Sequence, residues 1–406
     1  MSIKPITLGI QEALERTLGC LVPLGVETVA LEDCVDRVAS DALEALVDSP
    51  SVNASLKDGY AVISSDIRHA SPHRPVPLRM MGLAAAGGED PLGIAPGTTV
   101  RVLTGARIPD HADAVLSEEF TARRQDTVEA LNVAEPGRNI LKKGSDVAIG
   151  ETIVSPGQVI TPGLAGLLAA AGQQAAIVYR TPSVAIMATG DEVVIPGQPL
   201  PEGKLYASNL TTLNAWCRRY GFTTRRWVVQ DDADQIAAAL ELALAEADAV
   251  ITSGGAWTGD RDRVIGVLQS MGWKPVFHRI RIGPGKGVGF GLFRKTPVFI
   301  LPGGPPSNLM GFLQIALPGL LRLSGRVRVG LPIMSVRMAE AVHGRSEDWT
   351  QYLWGRLELQ PEGLLFHPLR GPSRLRDMAE AQAVVAIPEG ETTIPAGKRV
   401  PAQWLM

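Results

Sequence analysis

Apolar residues recur along this chain at two different spacings, and the places where the spacing changes divide it into segments. Ile10, Leu14 and Leu18 lie four residues apart with Gln11, Glu12, Glu15 and Arg16 between them, which predicts an amphipathic helix at the N-terminus. A second helical piece is expected over residues 32–46. From about 51 to 139 the chain turns rich in Gly and Pro, with short β-prone runs at 60–63, 76–80, 99–103 and 127–133. That texture predicts a small β domain inserted between helical segments. Residues 140–179 return to a Gly-rich stretch with one apolar helix over 162–171, capped by Thr161 and carrying Pro162 at its first position.

From residue 183 the pattern becomes regular. A strand at 184–188 is followed by a helix at 210–220, a strand at 223–229, and a helix at 233–245 behind Asp231 and Asp232. A strand at 249–251, a helix at 263–271, a run at 276–282, a strand at 298–301 and a helix at 307–321 complete the series. Such alternation predicts a parallel, doubly wound sheet with helices on both faces. The tail has β-prone runs at 335–338, 353–359, 384–387 and 398–404, consistent with a small β-barrel-like domain. The division read from these patterns is a helical, Gly-rich linking domain of 1–50 with 140–180, an inserted β-rich domain of 51–139, an α/β domain of 181–325 and a β-barrel-like domain of 326–406.

Composition narrows the class without naming it. The chain has 406 residues, 45% hydrophobic and 20% charged, which suits a globular protein of about two to four domains with a full core. A net charge of −3 gives no overall attraction to nucleic acid or to an anionic membrane, so any anion site must be local. Neither a signal-peptide core nor an apolar stretch long enough to span a bilayer is found, and the protein is read as cytoplasmic. Cys20, Cys34 and Cys217 are odd in number and widely spaced, so free buried thiols are expected.

The candidate chemistry lies where the predicted strands end. In an open parallel sheet, loops and helix N-termini converge beyond the carboxyl ends of the strands. Thr189, Gly190, Asp191 and Glu192 follow the first strand, and Asp231 and Asp232 follow the second. Thr252, Ser253, Gly254 and Gly255 follow the third, leading through Gly259 and Asp260 to Asp262. Residues 283–289, GPGKGVG, set Lys286 among four glycines, and residues 302–307, PGGPPS, precede the last helix. Each cluster has a plain structural explanation, since Asp caps helices and glycines make turns. Their common location favours an oxygen-rich site for Mg²⁺ and a phosphorylated ligand, with glycine amides and Lys286 facing the anion.

These residues carry a family resemblance. NASLKDGYAV at 53–62, VRVLTGARIPDHADAV at 100–115, ATGDEV at 188–193, the SGGxxxGDxD pattern at 253–262 and PGKG at 284–287 occur in one order. In that order the chain resembles the MoeA-type molybdopterin molybdenumtransferases, the group that includes the C-terminal domain of gephyrin. The resemblance implies an elongated four-domain subunit with a MoeA/MogA-like α/β domain, forming a homodimer. It implies Mg²⁺-dependent insertion of molybdate into adenylylated molybdopterin with release of AMP. Asp58, Thr104, Glu192, Asp231 and Asp262 fall at the family's catalytic positions, with Asp262, Asp231 and Glu192 as the implied metal ligands. Thr189, Gly190, Ser253, Gly254, Gly255, Gly259, Lys286, Gly303 and Ser307 fall at its ligand-binding positions.

The chain also departs from the family pattern. Gly283 and Gly287 stand where KPGKP has lysine and proline, and Gly304 where PGNP has asparagine. Leu56 and Lys57 stand where the first motif has Ala and Met, Trp257 is bulky for its loop, and Pro372 falls where serine is common. Lys57, Arg279 and Arg281 are the cations that could replace the missing lysine. The departures keep two other readings open: a non-catalytic relative that binds or delivers a pterin or oxyanion, and another Mg²⁺-dependent enzyme cleaving phosphoanhydrides on the same fold.

Overall fold

The computed structural model describes residues 6–89, 93–255, 263–371 and 373–405. Its largest layered unit is an α/β sheet built from β1 (Ser183–Thr189), α1 (Ser208–Arg219), β2 (Thr223–Val229), α2 (Ala233–Glu246), β3 (Ala249–Ser253), α3 (Arg263–Ser270), β4 (Lys274–His278), β5 (Gly289–Phe293) and β6 (Thr296–Leu301). The sheet order is β2-β1-β3-β6-β5-β4. Alternate residues of its central strands enter two separate cores. Val184, Ile186, Ile251 and Phe299 face one side, and Ala185, Met187, Val250 and Val298 the other. Burial on both faces explains why these strands read as continuous apolar runs.

The sheet is parallel only over β2, β1, β3 and β6; β5 and β4 run antiparallel at its edge. The expected all-parallel order fails there because residues 294–295 alone join β5 to β6, with Arg294 at a φ of 55°. A parallel return needs a crossover of a dozen residues or more, so so short a connection forces a hairpin. After β6 the chain turns into helix earlier than expected, at Pro305–Gly311, and continues through a π-helical turn, Phe312–Ala316, into Leu317–Leu323.

Asp248 anchors the start of this sheet. Its carboxylate accepts hydrogen bonds from Arg180 at 2.7 and 2.9 Å and from the Ser183 amide and hydroxyl at 2.9 and 2.8 Å. Burial pushes its pKa up, but Arg180 and Ser183 outweigh burial and hold it below the ordinary 3.8. A depressed carboxylate contributes stability that is present above the unfolded value and lost as pH falls through the folded one. Asp248→Asn is therefore expected to lower stability by about 1 kcal/mol at neutral pH, the Arg180 side being screened by solvent. Denaturant titrations of the two proteins should converge below about pH 4.

The segment expected as a helix over 32–46 is not one. It holds a single 3₁₀ turn, Leu31–Asp33, and a short strand, Leu43–Glu44. Asp36 takes a φ of 64°, and Val38 and Ala39 bridge to Val159 and Val178. Leu31, Cys34, Ala39 and Leu43 are buried against Val154, Leu168 and Val178, so long-range pairing overrides local propensity. Val26–Ala30 likewise pairs with Ala175–Tyr179, and Ala54–Ser55 with Ile140–Leu141. The chain thus leaves this unit near residue 55 and returns near 140. Between those points lies a six-stranded sheet in the order Ala114–Ser117, Gly59–Val62, Thr98–Val102, Val76–Ala84, Thr127–Ala130, Thr121–Arg124.

The C-terminal region is a barrel of five strands, closed by pairing Thr350–Gln360 with Ala383–Ile387. Ile282–Gly283 adds to it alongside Thr350 and Gln351, so the segment leading to Lys286 belongs to both units. Arg281 reinforces that junction with an ion pair to Glu389 at 2.7 Å. Cys34 and Cys217 are free and buried as expected, but Cys20 is exposed. Among the described residues, no helix is long and apolar enough to cross a membrane.

Candidate functional site

Chain reversal puts the site between β1 and β3. The crossover from β1 to β2 runs to one side and the return to β3 to the other, which opens a crevice outside the carboxyl ends of these two strands. Ala188 and Ser253 are register partners at that edge. Two glycines shape its floor. Gly254 has a φ of 102°, and a Cβ there would stand 2.7 Å from Thr189 O; a Cβ on Gly255, at φ 65°, would stand 2.3 Å from a Val264 methyl. Only glycine allows the β3 turn to lie this close to β1 and α3.

Ser253 is the centre of the arrangement. Its Oγ accepts from Asn209 Nδ2 at 3.1 Å and from Asn308 Nδ2 at 3.0 Å. The same two amides donate to Gly303 O at 2.7 Å and Pro302 O at 2.8 Å, so they pin the loop after β6 against the end of β3. A hydroxyl has two acceptor lone pairs and one donor hydrogen. With both lone pairs engaged, the Ser253 proton is left to donate elsewhere. Neither asparagine was singled out from the sequence as a site residue. The available signal was amide side chains in the first turns of two helices, where asparagine has no propensity advantage.

The glycine amides divide into two kinds. Gly254 N–H donates to Leu301 O at 3.0 Å and Gly190 N–H to Val229 O at 3.3 Å, so both are engaged by the sheet. The Gly255 and Gly303 amides make no hydrogen bond among the described residues and are the better anion donors. The Thr189 hydroxyl is buried without a partner among them, beside the glycine turn.

The acids lie along the rim. Asp191 Oδ1 accepts from the Asp231 amide at 3.0 Å, which ties the ends of β1 and β2 together. Glu192 is exposed, its carboxylate folded back over Gly190. Asp232, not Asp231, caps α2, accepting from the amides of Asp234 and Gln235 at 3.1 and 3.0 Å. Among the described residues no group of three His, Cys, Asp or Glu side chains converges. Gly259 and Asp262, with Asp260 and Trp257, lie outside the described residues.

Lys286 is exposed on the loop after the cis Gly283–Pro284 bond. A Cβ on Gly285 would approach Ser307 O to 3.4 Å, so this loop abuts the first turn of the last helix of the α/β unit. Of the three candidate replacement cations, Arg281 is already committed: it pairs with Glu389 and donates to Thr7 O. Lys57 is exposed and belongs to the inserted sheet's region.

Asp58 and Thr104 form a second, separate group on the inserted sheet. Asp58 Oδ1 accepts from the Thr104 amide at 2.7 Å and its hydroxyl at 2.8 Å. Those two bonds hold the carboxyl below its ordinary pKa, so Asp58 stays ionised into acid. Gly59 beside it packs tightly, since a Cβ would meet Leu116 O at 2.2 Å.

Comparison with known proteins places this geometry. Residues 8–172 match the MoeA N-terminal region (domain I and II), residues 185–322 a probable molybdopterin binding domain, and residues 335–405 the MoeA C-terminal region (domain IV). A molybdopterin molybdenumtransferase of Nostoc sp. is 31% identical over 382 residues, covering 92% of this chain and 87% of that protein. Molybdopterin molybdenumtransferase 2 of Mycobacterium tuberculosis is 31% identical over 385 residues, covering 92% and 93%. The crystal structure of a molybdopterin biosynthesis MoeA protein from a Pyrococcus species superposes with a TM-score of 0.82 at 31% identity, covering 98% of this chain and 99% of that one.

Proposed function

The chain belongs to the MoeA family of molybdopterin molybdenumtransferases, enzymes of molybdenum cofactor biosynthesis, and from that membership we propose that it inserts molybdate into adenylylated molybdopterin in a Mg²⁺-dependent reaction that releases AMP. The observation that carries this reading is the Ser253 hydroxyl, whose oxygen accepts from Asn209 and Asn308 at the crevice between β1 and β3 and so keeps its proton for another partner. A fixed donor beside the open Gly255 and Gly303 amides suits the oxygens of a phosphate or molybdate. Lys286 adds a positive charge where negative charge grows as the phosphoanhydride opens.

The donor chemistry fits magnesium. Mg²⁺ takes oxygen ligands and is commonly held by carboxylates together with substrate phosphate. Glu192, Asp231 and Asp262 would hold it, Asp191 fixing the Asp231 backbone. Bound there, the ion would supply charge neutralisation for the anhydride oxygens. Asp58, kept ionised by Thr104, is assigned to the same reaction as an acceptor that orients a substrate proton. The reading includes a homodimer, as the family resemblance implies. Val26 and Ile177, exposed on one face of a two-stranded ribbon, are candidates for its interface. The four-part division at 1–50 with 140–180, 51–139, 181–325 and 326–406 belongs to the same reading.

Incubating the purified protein with adenylylated molybdopterin, molybdate and Mg²⁺ tests the assignment. AMP should appear only with all three present, together with cofactor that reconstitutes a molybdoenzyme apoprotein. Ligand binding without AMP, or release indifferent to Mg²⁺, would overturn it.

Gly283 offers a second test. A Cβ there meets only Gln351 Cγ at 3.9 Å, so the backbone admits a side chain. Gly283→Lys is expected to tighten binding of adenylylated molybdopterin by about ten- to a hundredfold, the worth of one charge-assisted hydrogen bond. The gain should shrink with added salt. If Lys57 already substitutes, Gly283→Lys will do little and Lys57→Ala will weaken binding by a similar factor.

A further inference from the structure

At the far end of α1 from Ser253 lies a cleft of about 450 Å³. α1 has 12 residues, so it separates the two places by about 18 Å. The cleft opens where Thr181 enters β1, between the last turn of α1, residues 35–37 and Arg326. Four of its lining residues are arginines, Arg37, Arg218, Arg219 and Arg326, and Asp36 is the one carboxylate among them.

Their bonding is uneven. Arg37 is paired with Glu27 and also donates to Tyr179 O at 3.0 Å, while its Nε is buried without a partner among the described residues. Arg219 donates to Leu405 O at 2.9 Å and lies over the Trp216 ring. Arg326 donates to Asp36 O at 3.1 Å, with its guanidinium 5.9 Å from the centre of the Tyr220 ring, and forms no ion pair among the described residues. Arg218 is exposed, and its side chain makes no hydrogen bond or ion pair among them. Two guanidinium groups thus face one cleft without a carboxylate of their own.

We propose that this cleft is a second binding site, for a phosphomonoester carried on an organic body of nucleotide size. Planar guanidinium forks match phosphate oxygens in pairs, and a dianion answers two such charges where a single carboxylate would answer one. The C-terminal end of a helix repels anions, and Arg218 and Arg219 in the last turn of α1 reverse that local sign. The volume lies in the range of about 300–1,000 Å³ usual for small-molecule sites and exceeds what a free phosphate fills. Half-buried Tyr220 supplies an apolar wall for the body of the ligand. Burial lowers the pKa of Arg326, with Asp36 and Tyr220 opposing the shift only in part, which agrees with a charge still short of a counterion.

Calorimetric titration with AMP and with inorganic phosphate tests the site. The experiment is done in a Ser253→Ala background so that the crevice between β1 and β3 is disabled, and in variants that add Arg218→Gln or Arg326→Lys. Arg218 is exposed and unpaired, so its replacement leaves folding intact; Arg326→Lys keeps the charge and removes the fork. AMP should bind the Ser253→Ala protein saturably and at least tenfold more tightly than phosphate. Each arginine substitution should weaken it by about ten- to a hundredfold. Absence of saturable binding to Ser253→Ala, indifference to both arginine changes, or phosphate binding as tightly as AMP would each overturn the proposal.

Discussion

Gly254→Ala is expected to reduce turnover by about 100-fold and to destabilise the α/β unit by about 2–4 kcal/mol. At φ 102° an L side chain is strained, and the new methyl would stand 2.7 Å from Thr189 O. That oxygen is backbone of the neighbouring strand and cannot rotate away. Relief requires the β3 turn to lift from β1, breaking the Gly254 N–H bond to Leu301 O and moving Ser253 with it. A displacement of about 1 Å at such a site can cost about two orders of magnitude in rate. Gly304→Ala is the control: its φ is −69°, a Cβ there touches nothing within 4 Å, and neither stability nor turnover should change appreciably. Urea titration and AMP release measured on both variants check the contrast; equal behaviour would show that the close approach has no functional weight.

Asn308→Leu should produce the next largest effect. The side chain is 1% exposed and holds both Ser253 Oγ and Pro302 O. Leucine has similar volume but leaves the partly buried Pro302 carbonyl without its partner, which costs about 1 kcal/mol. It also frees a lone pair on Ser253, so the hydroxyl proton loses its fixed direction and transition-state donation weakens by about ten- to a hundredfold. Asn209→Leu removes the other amide and the bond to Gly303 O. If both asparagines act through Ser253, the double variant should lose less activity than the product of the single losses. Strict multiplication would mean that they act independently.

The α/β unit was largely legible because its signals are local and repeated. Continuous apolar runs mark strands buried on both faces, and Asp232 and Thr161 mark helix starts with caps that form as expected. Of the motif residues, Thr189 and Ser253 end their strands, Gly303 lies in the turn that follows β6, and Ser307 lies in the first turn of the next helix. Less was visible where the outcome depends on a distant partner. Residues 32–46 have a helix-like distribution of apolar positions, yet pairing to Val159 and Val178 draws them into extended structure. The β5–β6 hairpin hid in a stretch whose Gly289 and Gly291 weaken its strand signal.

Spacing and residue type by themselves determined the alternating elements, the family pattern and the identity of the acids and glycines that could meet an anion. They did so because each of those features is written within a few residues of chain. Only the tertiary structure decided which of these groups have partners. Gly254 and Gly190 turn out to be engaged by the sheet, Arg281 by Glu389, and Ser253 is directed by two asparagines 44 and 55 residues away in sequence. A hydrogen bond fixes one donor on one acceptor at about 3 Å, and no local pattern encodes a meeting across such separations. That choice follows from how the sheet order folds the strand ends together.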